Sequence, residues 1–297
     1  MGYLYLTLAL IGGLGKGFLG KNISNDINNF KDCILMNLLR MLFGTLVAGV
    51  VIWYSNEFGA LGLSSDSLLI CILSAVSMSA FAVSWMYAYK TEAYMFLSIF
   101  TMLGTVITCL LSYIFLGEAI RLNQWAGMLL IGIAIYIMSK HNKAVSGALT
   151  PKGIAILVIG CSGSAVADFC QKLCRLKTTT SGSVFNFYTY AFSVVLLLAI
   201  FAFIPKKNQP KSTFVDAKHI TICALISGFL YLNTFSKTLA TGFLSSAQIY
   251  PVLQGANLIC SALLARILLK EKITLKSICG MVVAFSALLI MQLLYGL

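Results

Sequence analysis

Tyr250-Pro251-Val252-Leu253-Gln254-Gly255-Ala256-Asn257 opens an apolar helix that runs to Leu269-Lys270-Glu271. The chain then re-enters an apolar segment through Lys276-Ser277-Ile278-Cys279-Gly280. The same order stands one half-chain earlier, as Leu116-Gly117-Glu118 followed by Asn123-Gln124-Trp125-Ala126-Gly127. Glutamate and glycine are nine residues apart in both copies. An apolar helix, a tight glutamate turn and a second helix, repeated at matching places, imply a protein built from two related halves. In a membrane, that is the plan of transporters with internal repeats.

Composition sets the class. The chain has 297 residues, 59% hydrophobic and only 10% charged, with a mean hydropathy of +0.92. That is more apolar surface than a soluble domain of this length can bury, so the expectation is an all-α polytopic membrane protein. Met1-Gly2-Tyr3 runs into an apolar span with no basic leader and no small-residue cleavage site, so the first span is expected to be retained. The nine cysteines are odd in number, scattered through apolar spans and free of C-x-x-C. They read as small core residues rather than a disulfide framework or a zinc site.

Segments of about 20 apolar residues are long enough to cross a bilayer as helices. They lie at about 3–21, 33–54, 67–89, 93–116, 122–139, 152–173, 183–204, 219–239, 243–269 and 274–295. Five precede and five follow the connection Lys140–Pro151. The expected organisation is therefore a first repeat at 1–140, a linking loop at 141–151 and a second repeat at 152–297. An odd number of spans per repeat makes the second enter the membrane inverted relative to the first.

The net charge of +12 could point to nucleic acid, but the basic residues sit mostly in short connections, where they anchor the protein to the lipid surface. No nucleic-acid partner is expected. Loops after odd-numbered spans hold fourteen Lys and Arg: Lys21, Lys31, Lys90, Lys140, Lys143, Lys152, Lys206, Lys207, Lys211, Lys218, Arg266, Lys270, Lys272 and Lys276. The other side holds five: Arg121, Lys172, Arg175, Lys177 and Lys237. The positive-inside rule then places the first set in the cytoplasm and both termini outside.

Polar residues inside spans must face protein or water rather than lipid. Tyr94, Ser98, Thr101, Thr105, Thr108 and Ser112 follow the 3–4 spacing of one helix face in span 4. Span 8 carries Ser227, Tyr231, Thr234 and Thr238; span 9 carries Tyr250, Gln254, Asn257 and Ser261, beside Pro251, where a helix loses a backbone bond. Span 3 adds Ser74, Ser77 and Ser84 with Trp85 and Tyr87 close by. A single Ser or Thr commonly bonds to its own helix or glues two helices together. Four aligned stripes, two at matching repeat positions and one with Gln and Asn, favour a shared polar cavity. The residues expected to meet substrate are Lys16, Ser84, Tyr87, Tyr94, Thr101, Thr105, Asp168, Tyr231, Thr234, Tyr250, Gln254 and Asn257.

Lys16 sits roughly 20 Å into a hydrocarbon core of about 30 Å, and Asp168 lies at a similar depth in span 6. They fall one residue apart when the repeats are aligned. Three roles are open: snorkelling and helix-end capping, pairing with each other, or holding the opposite charges of a substrate. Asp168 is the one deep carboxylate, so proton coupling rests on it or is absent. Arg40 reads as a clamp on loop carbonyls. Spans 5 and 10 are almost free of polar residues; Gly280, Ala284 and Ala287 stand at small-residue spacing there, which suits packing or a homodimer face.

Gly15-Lys16-Gly17-Phe18-Leu19-Gly20 fits G-x-G-x-x-G but sits within an apolar span and follows no strand, so it is not a nucleotide fingerprint. There is no Walker A sequence and no H-E-x-x-H, so neither ATP, metal nor cofactor is implied. No Ser or Cys has a plausible base in the membrane, and an enzyme is not expected.

The doubled glutamate turn with glycine nine residues on, Arg40 early in span 2, Pro251 twenty residues before Glu271 and the ten-span layout together resemble the drug/metabolite transporter superfamily, EamA type. The resemblance covers nearly the whole chain. It implies two inverted five-helix repeats, with spans 1, 3, 4, 6, 8 and 9 around a central cavity and spans 5 and 10 outside. It implies structural or gating roles for Arg40, Glu118, Pro251 and Glu271, and both termini in the cytoplasm, against the charge count. Two departures stand out: Gly12-Gly13-Leu14-Gly15 replaces the aromatic-glycine pair of span 1, and Ser98 stands where proline is common. The implied function is secondary transport by alternating access in the bacterial cytoplasmic membrane, with the lipid bilayer and a small-molecule substrate as partners. Neutral hydrogen-bonding groups suit a small polar or zwitterionic metabolite such as an amino acid. Efflux of cationic or drug-like compounds is the alternative within the class; a membrane-embedded scaffold or sensor subunit is the alternative outside it.

Overall fold

The computed structural model describes residues 1–147, 149–204 and 216–293. Lys206, Lys207 and Lys211, and the last residues of the tenth expected span, lie outside them. The helices are α1 (Gly2–Ser24), α2 (Phe30–Tyr54), α3 (Ser65–Thr91), α4 (Tyr94–Phe100), α5 (Met102–Leu116), α6 (Leu122–Val145), α7 (Pro151–Lys177), α8 (Gly182–Phe203), α9 (Ala217–Ala240), α10 (Ser246–Ile267) and α11 (Leu275–Leu293). Counting α4 and α5 as one span, nine are long and apolar enough to cross a membrane among the described residues, and the shorter apolar α11 supplies the tenth. The protein is an all-α polytopic membrane protein.

Local sequence sets the helix ends. Asn29, Ser64, Thr150 and Ser181 each accept a backbone N–H of the following first turn, and Pro151 opens α7 where a missing N–H costs nothing. The two glutamate turns are built alike. Gly117 and Lys270, equivalent positions in the repeats, both adopt left-handed backbone, with φ of 68° and 54°. The N–H of Glu118 then reaches the carbonyl of Ser112, and that of Glu271 reaches Ala265. Glycine takes that conformation freely, whereas lysine is strained in it.

Packing follows the repeat. α1 lies against α9 and α7 against α3, so each repeat's first helix packs on the other's third. At the equivalent positions Gly12 and Gly163 a Cβ would stand 2.6 Å from the backbone oxygens of Phe229 and Ser77, so only glycine permits these approaches. The second helices, α2 and α8, pair with each other, as do the fifth, α6 and α11. The last pairing accounts for the small-residue stripe. Gly280, Ala284 and Ala287 pack against α6 within the chain: a Cβ at Gly280 would meet Met138, and one at Gly127 would meet Met291. Small residues let these two helices approach as closely as the sequence suggested, but with an internal partner. Large apolar side chains such as Trp53, Leu129, Val195 and Val282 cover the outside, where lipid is the solvent.

Candidate functional site

A cavity of about 100 Å³ lies among α1, α3, α4, the loop residue Thr101, α7, α9 and α10, which belong to spans 1, 3, 4, 6, 8 and 9. One water needs roughly 10–15 Å³ on the same measure, so the space exceeds a buried-water site several-fold. Lys16, Tyr94, Thr101, Asp168, Tyr250, Gln254 and Asn257 all line it. Both repeats contribute, and they meet through equivalent residues: Thr101 Oγ1 stands 3.5 Å from Gln254 Oε1, 153 positions on. The α4–α5 span is interrupted at Thr101, whose hydroxyl donates to the Ser98 carbonyl at 2.7 Å.

The charged centre has three members. Asp168 of α7 forms an ion pair with Lys237 of α9, and both are buried. Lys16 of α1 donates to Asn233 Oδ1 at 2.9 Å, while Asn233 Nδ2 donates to the Ala9 carbonyl at 2.6 Å, which fixes its amide. The Lys16 ammonium also lies 6.0 Å from the Phe81 ring centroid, within cation–π range. Tyr250 donates to the Asp168 carbonyl at 3.1 Å. Phe81, Trp85, Tyr89 and Tyr94 form an aromatic wall, with successive ring centroids 5.4, 6.4 and 6.0 Å apart. Lys16 and Asp168 therefore share the cavity without being hydrogen-bonded partners. Lys237, counted in sequence as a loop charge, faces inward instead. Lys172 also turns inward, pairing with Glu118, so Arg121, Arg175 and Lys177 alone remain of the five charges on that side.

Five expected cavity residues are elsewhere. Thr234 bonds to the Tyr190 hydroxyl and to the Leu230 carbonyl at 3.0 Å, and Tyr231 stacks on Phe235 at 5.3 Å within an apolar cluster of α2, α8 and α9. The span 8 stripe thus faces protein, as Ser227 Oγ shows by donating to the Arg40 carbonyl at 2.7 Å. Thr105 is buried below the cavity, where its neighbour Thr108 donates to the Ala165 carbonyl at 3.3 Å. Ser84 and Tyr87 line a second, lateral groove. Such stripes satisfy themselves by bonding back along their own helix, so their spacing does not separate cavity from packing. Asn233 and Lys237 were the informative pair on α9, four apart and on one face.

Arg40 is buried in mid-α2 with its Nη1 donating to Asn37 Oδ1 at 2.9 Å, so it clamps no loop. Lys21 does so, donating to the carbonyls of Tyr89 and Glu92 at 2.5 and 2.8 Å. Pro251 lies inside α10 without ending it. The two glutamates bridge the repeats at opposite membrane faces. Glu271 accepts the N–H groups of Tyr94 and Met95 at 2.6 and 3.1 Å, capping α4 where a helix end favours negative charge. Glu118 binds Lys172, which also donates to Ser246 at the start of α10 at 2.8 Å. Among the described residues no group of three or more His, Cys, Asp or Glu is placed to hold a metal ion.

The sequence profile of the EamA-like transporter family matches residues 2–140 and again 151–293. The chain belongs to the EamA-like transporter family. It is therefore a membrane transporter of the drug/metabolite superfamily by descent. No curated protein matches the sequence. A solved structure described only as "Crystal structure of protein" shares the fold, with a TM-score of 0.69 over 97% of each chain at 12% identity.

Proposed function

We propose that this EamA-like protein is a secondary transporter of the bacterial cytoplasmic membrane that carries a small polar metabolite bearing a carboxylate, an amino-acid zwitterion being the type case. The observation that carries this reading is the cavity set Lys16, Lys237 and Asp168, the first half-buried and the other two buried, supplied by three helices of both repeats. The cavity lining holds two ammonium groups and one carboxylate. A ligand carboxylate gives Lys16 the anionic partner it lacks, a zwitterion leaving the net charge unchanged and a monoanion cancelling it, whereas a cation adds to the excess, so cationic efflux is disfavoured. The carboxylate can take Lys16, and can compete with Asp168 for Lys237. An Asp168 released in this way then meets the ligand's ammonium group, which the Tyr89 and Tyr94 rings face.

Such an exchange of partners suits alternating access, because Asp168 and Lys237 each keep an opposite charge with the cavity empty or filled. The two halves rock about the midplane while Glu118 and Glu271 tie the fourth helix of the opposite repeat at opposite faces, directly or through Lys172. Breaking one tie while keeping the other opens one side only, and no ATP is required. Thermal unfolding of the purified protein tests the site. Amino acids and small carboxylates at 100 times their dissociation constant should stabilise it by about 2.7 kcal/mol, and primary amines should not. A shift with amines alone contradicts the charge argument. No shift with any of these classes, together with a partner protein that copurifies, supports a scaffold instead.

A further inference from the structure

The second groove, of about 610 Å³, is independent of the central cavity. It lies on the outward side of α3, between the start of α2 and the start of α7, and takes in Ser84 and Tyr87, which the substrate cavity leaves unused. Its wall is graded. Val83, Met86, Cys33 and Ile156 make it apolar at depth, and Lys90 and Lys152 stand at its mouth with Asn28 and Asn29. Lys90 lies seven residues beyond Val83 on α3, about 10 Å along the helix. The mouth is formed by the loop after span 1, the end of span 3 and the start of span 6, all on the lysine-rich face of the protein.

We propose that this groove binds one anionic phospholipid of the surrounding leaflet, with its phosphate between Lys90 and Lys152 and an acyl chain along Val83 and Met86. Charge complementarity selects this occupant. Both charged lining residues are lysines, and no carboxylate lines the groove: Asp32 lies behind the mouth, buried, with Oδ2 accepting the Asn28 N–H at 3.3 Å, and Glu92 accepts the Asn142 amide. One ammonium is free for the headgroup, because Lys152 is exposed in the first turn of α7. Lys90 bonds to the Ile27 carbonyl, which holds the α1–α2 connection over the mouth. Lysines flanking a lateral apolar groove match the chemistry of a lipid headgroup joined to a hydrocarbon chain.

Native mass spectrometry of the full chain, released from detergent with phosphatidylglycerol or phosphatidylcholine, tests the assignment. Wild type should retain one phosphatidylglycerol in preference to phosphatidylcholine. Lys152→Gln should weaken retention about five-fold, the equivalent of ~1 kcal/mol for one basic residue at a charged surface. Lys276→Gln, on the same face but outside the groove, should leave it unchanged, and inorganic phosphate should not displace the lipid. Equal retention of both lipids, equal loss in Lys276→Gln, or displacement by phosphate alone overturns the proposal. So does a chain dimer that persists irrespective of lipid and excludes it, since a second copy then fills the groove. Retention by wild type with the same affinity in a folded Lys90→Gln/Lys152→Gln variant overturns it as well.

Discussion

Replacing Asp168 by asparagine should destabilise this protein more than replacing Lys237 by methionine, although the two residues form one ion pair. Both are buried, and removing one partner of a buried pair ordinarily costs about 3–5 kcal/mol, because the other charge is left uncompensated. The surroundings are not symmetric. Without Asp168, Lys16 and Lys237 face each other across the cavity with no lining carboxylate; without Lys237, Asp168 still has Lys16 opposite. Asp168→Asn should therefore reach the upper part of that range, and Lys237→Met the lower part. At roughly 2–4 °C per kcal/mol for a chain of this size, the first lowers the unfolding midpoint by on the order of 10 °C. The double variant should recover much of the loss, since neutralising both groups removes the buried charge pair entirely. A thiol-reactive dye suits the assay, because seven of the nine free cysteines are buried and become reactive on unfolding. Wild-type stability in Asp168→Asn, or a double variant less stable than Asp168→Asn, refutes the ion-pair account.

Three further outcomes are expected. Tyr231→Ala should cost about 3–5 kcal/mol of stability, as for other buried aromatics, yet leave ligand affinity unchanged in a folded sample measured by isothermal titration. Lys270→Gly should raise the unfolding midpoint by a few degrees, since it removes a left-handed non-glycine residue costing about 1–2 kcal/mol, less the entropy glycine loses. Glu271→Ala should uncap α4, costing about 1–2 kcal/mol, and hydrogen exchange should show faster amides at Tyr94 and Met95.

Much of the fold was legible because its signals are long or repeated. Ten apolar stretches leave few alternatives in a bilayer, and the matched glutamate turns fix the two halves: Gly117 and Lys270 share a backbone conformation as well as a place. The site was legible where polarity is costly. Gln254, Asn257, Lys16 and Asp168 carry more polar atoms or charge than their own apolar helix can satisfy, and all four line the cavity. Serine and threonine were poor guides, because Thr234, Thr238 and Ser227 bond to carbonyls four residues back on their own helix and so pack against protein. Partners could not be read at all. Lys237 stands near the end of its span and looked like a loop charge, and only the crossing of α7 and α9 reveals that it meets Asp168. The lysines at 21 and 90 were legible as positive charge on one face but not as the donors that tie the end of α3 and the α1–α2 connection.

The central claim, that a carboxylate-bearing metabolite crosses the membrane through the cavity of Lys16, Asp168 and Lys237, is tested most directly by uptake into liposomes. The protein, reconstituted alone and without ATP, is loaded with the strongest stabilising ligand of the thermal screen, and entry of the same labelled compound is followed. Wild type should accumulate label by exchange, and Lys16→Met, Gln254→Ala and Asn257→Ala, each verified as folded, should exchange it more slowly. Uptake at the wild-type rate by all three variants, or none by wild-type protein that binds the compound, contradicts the account.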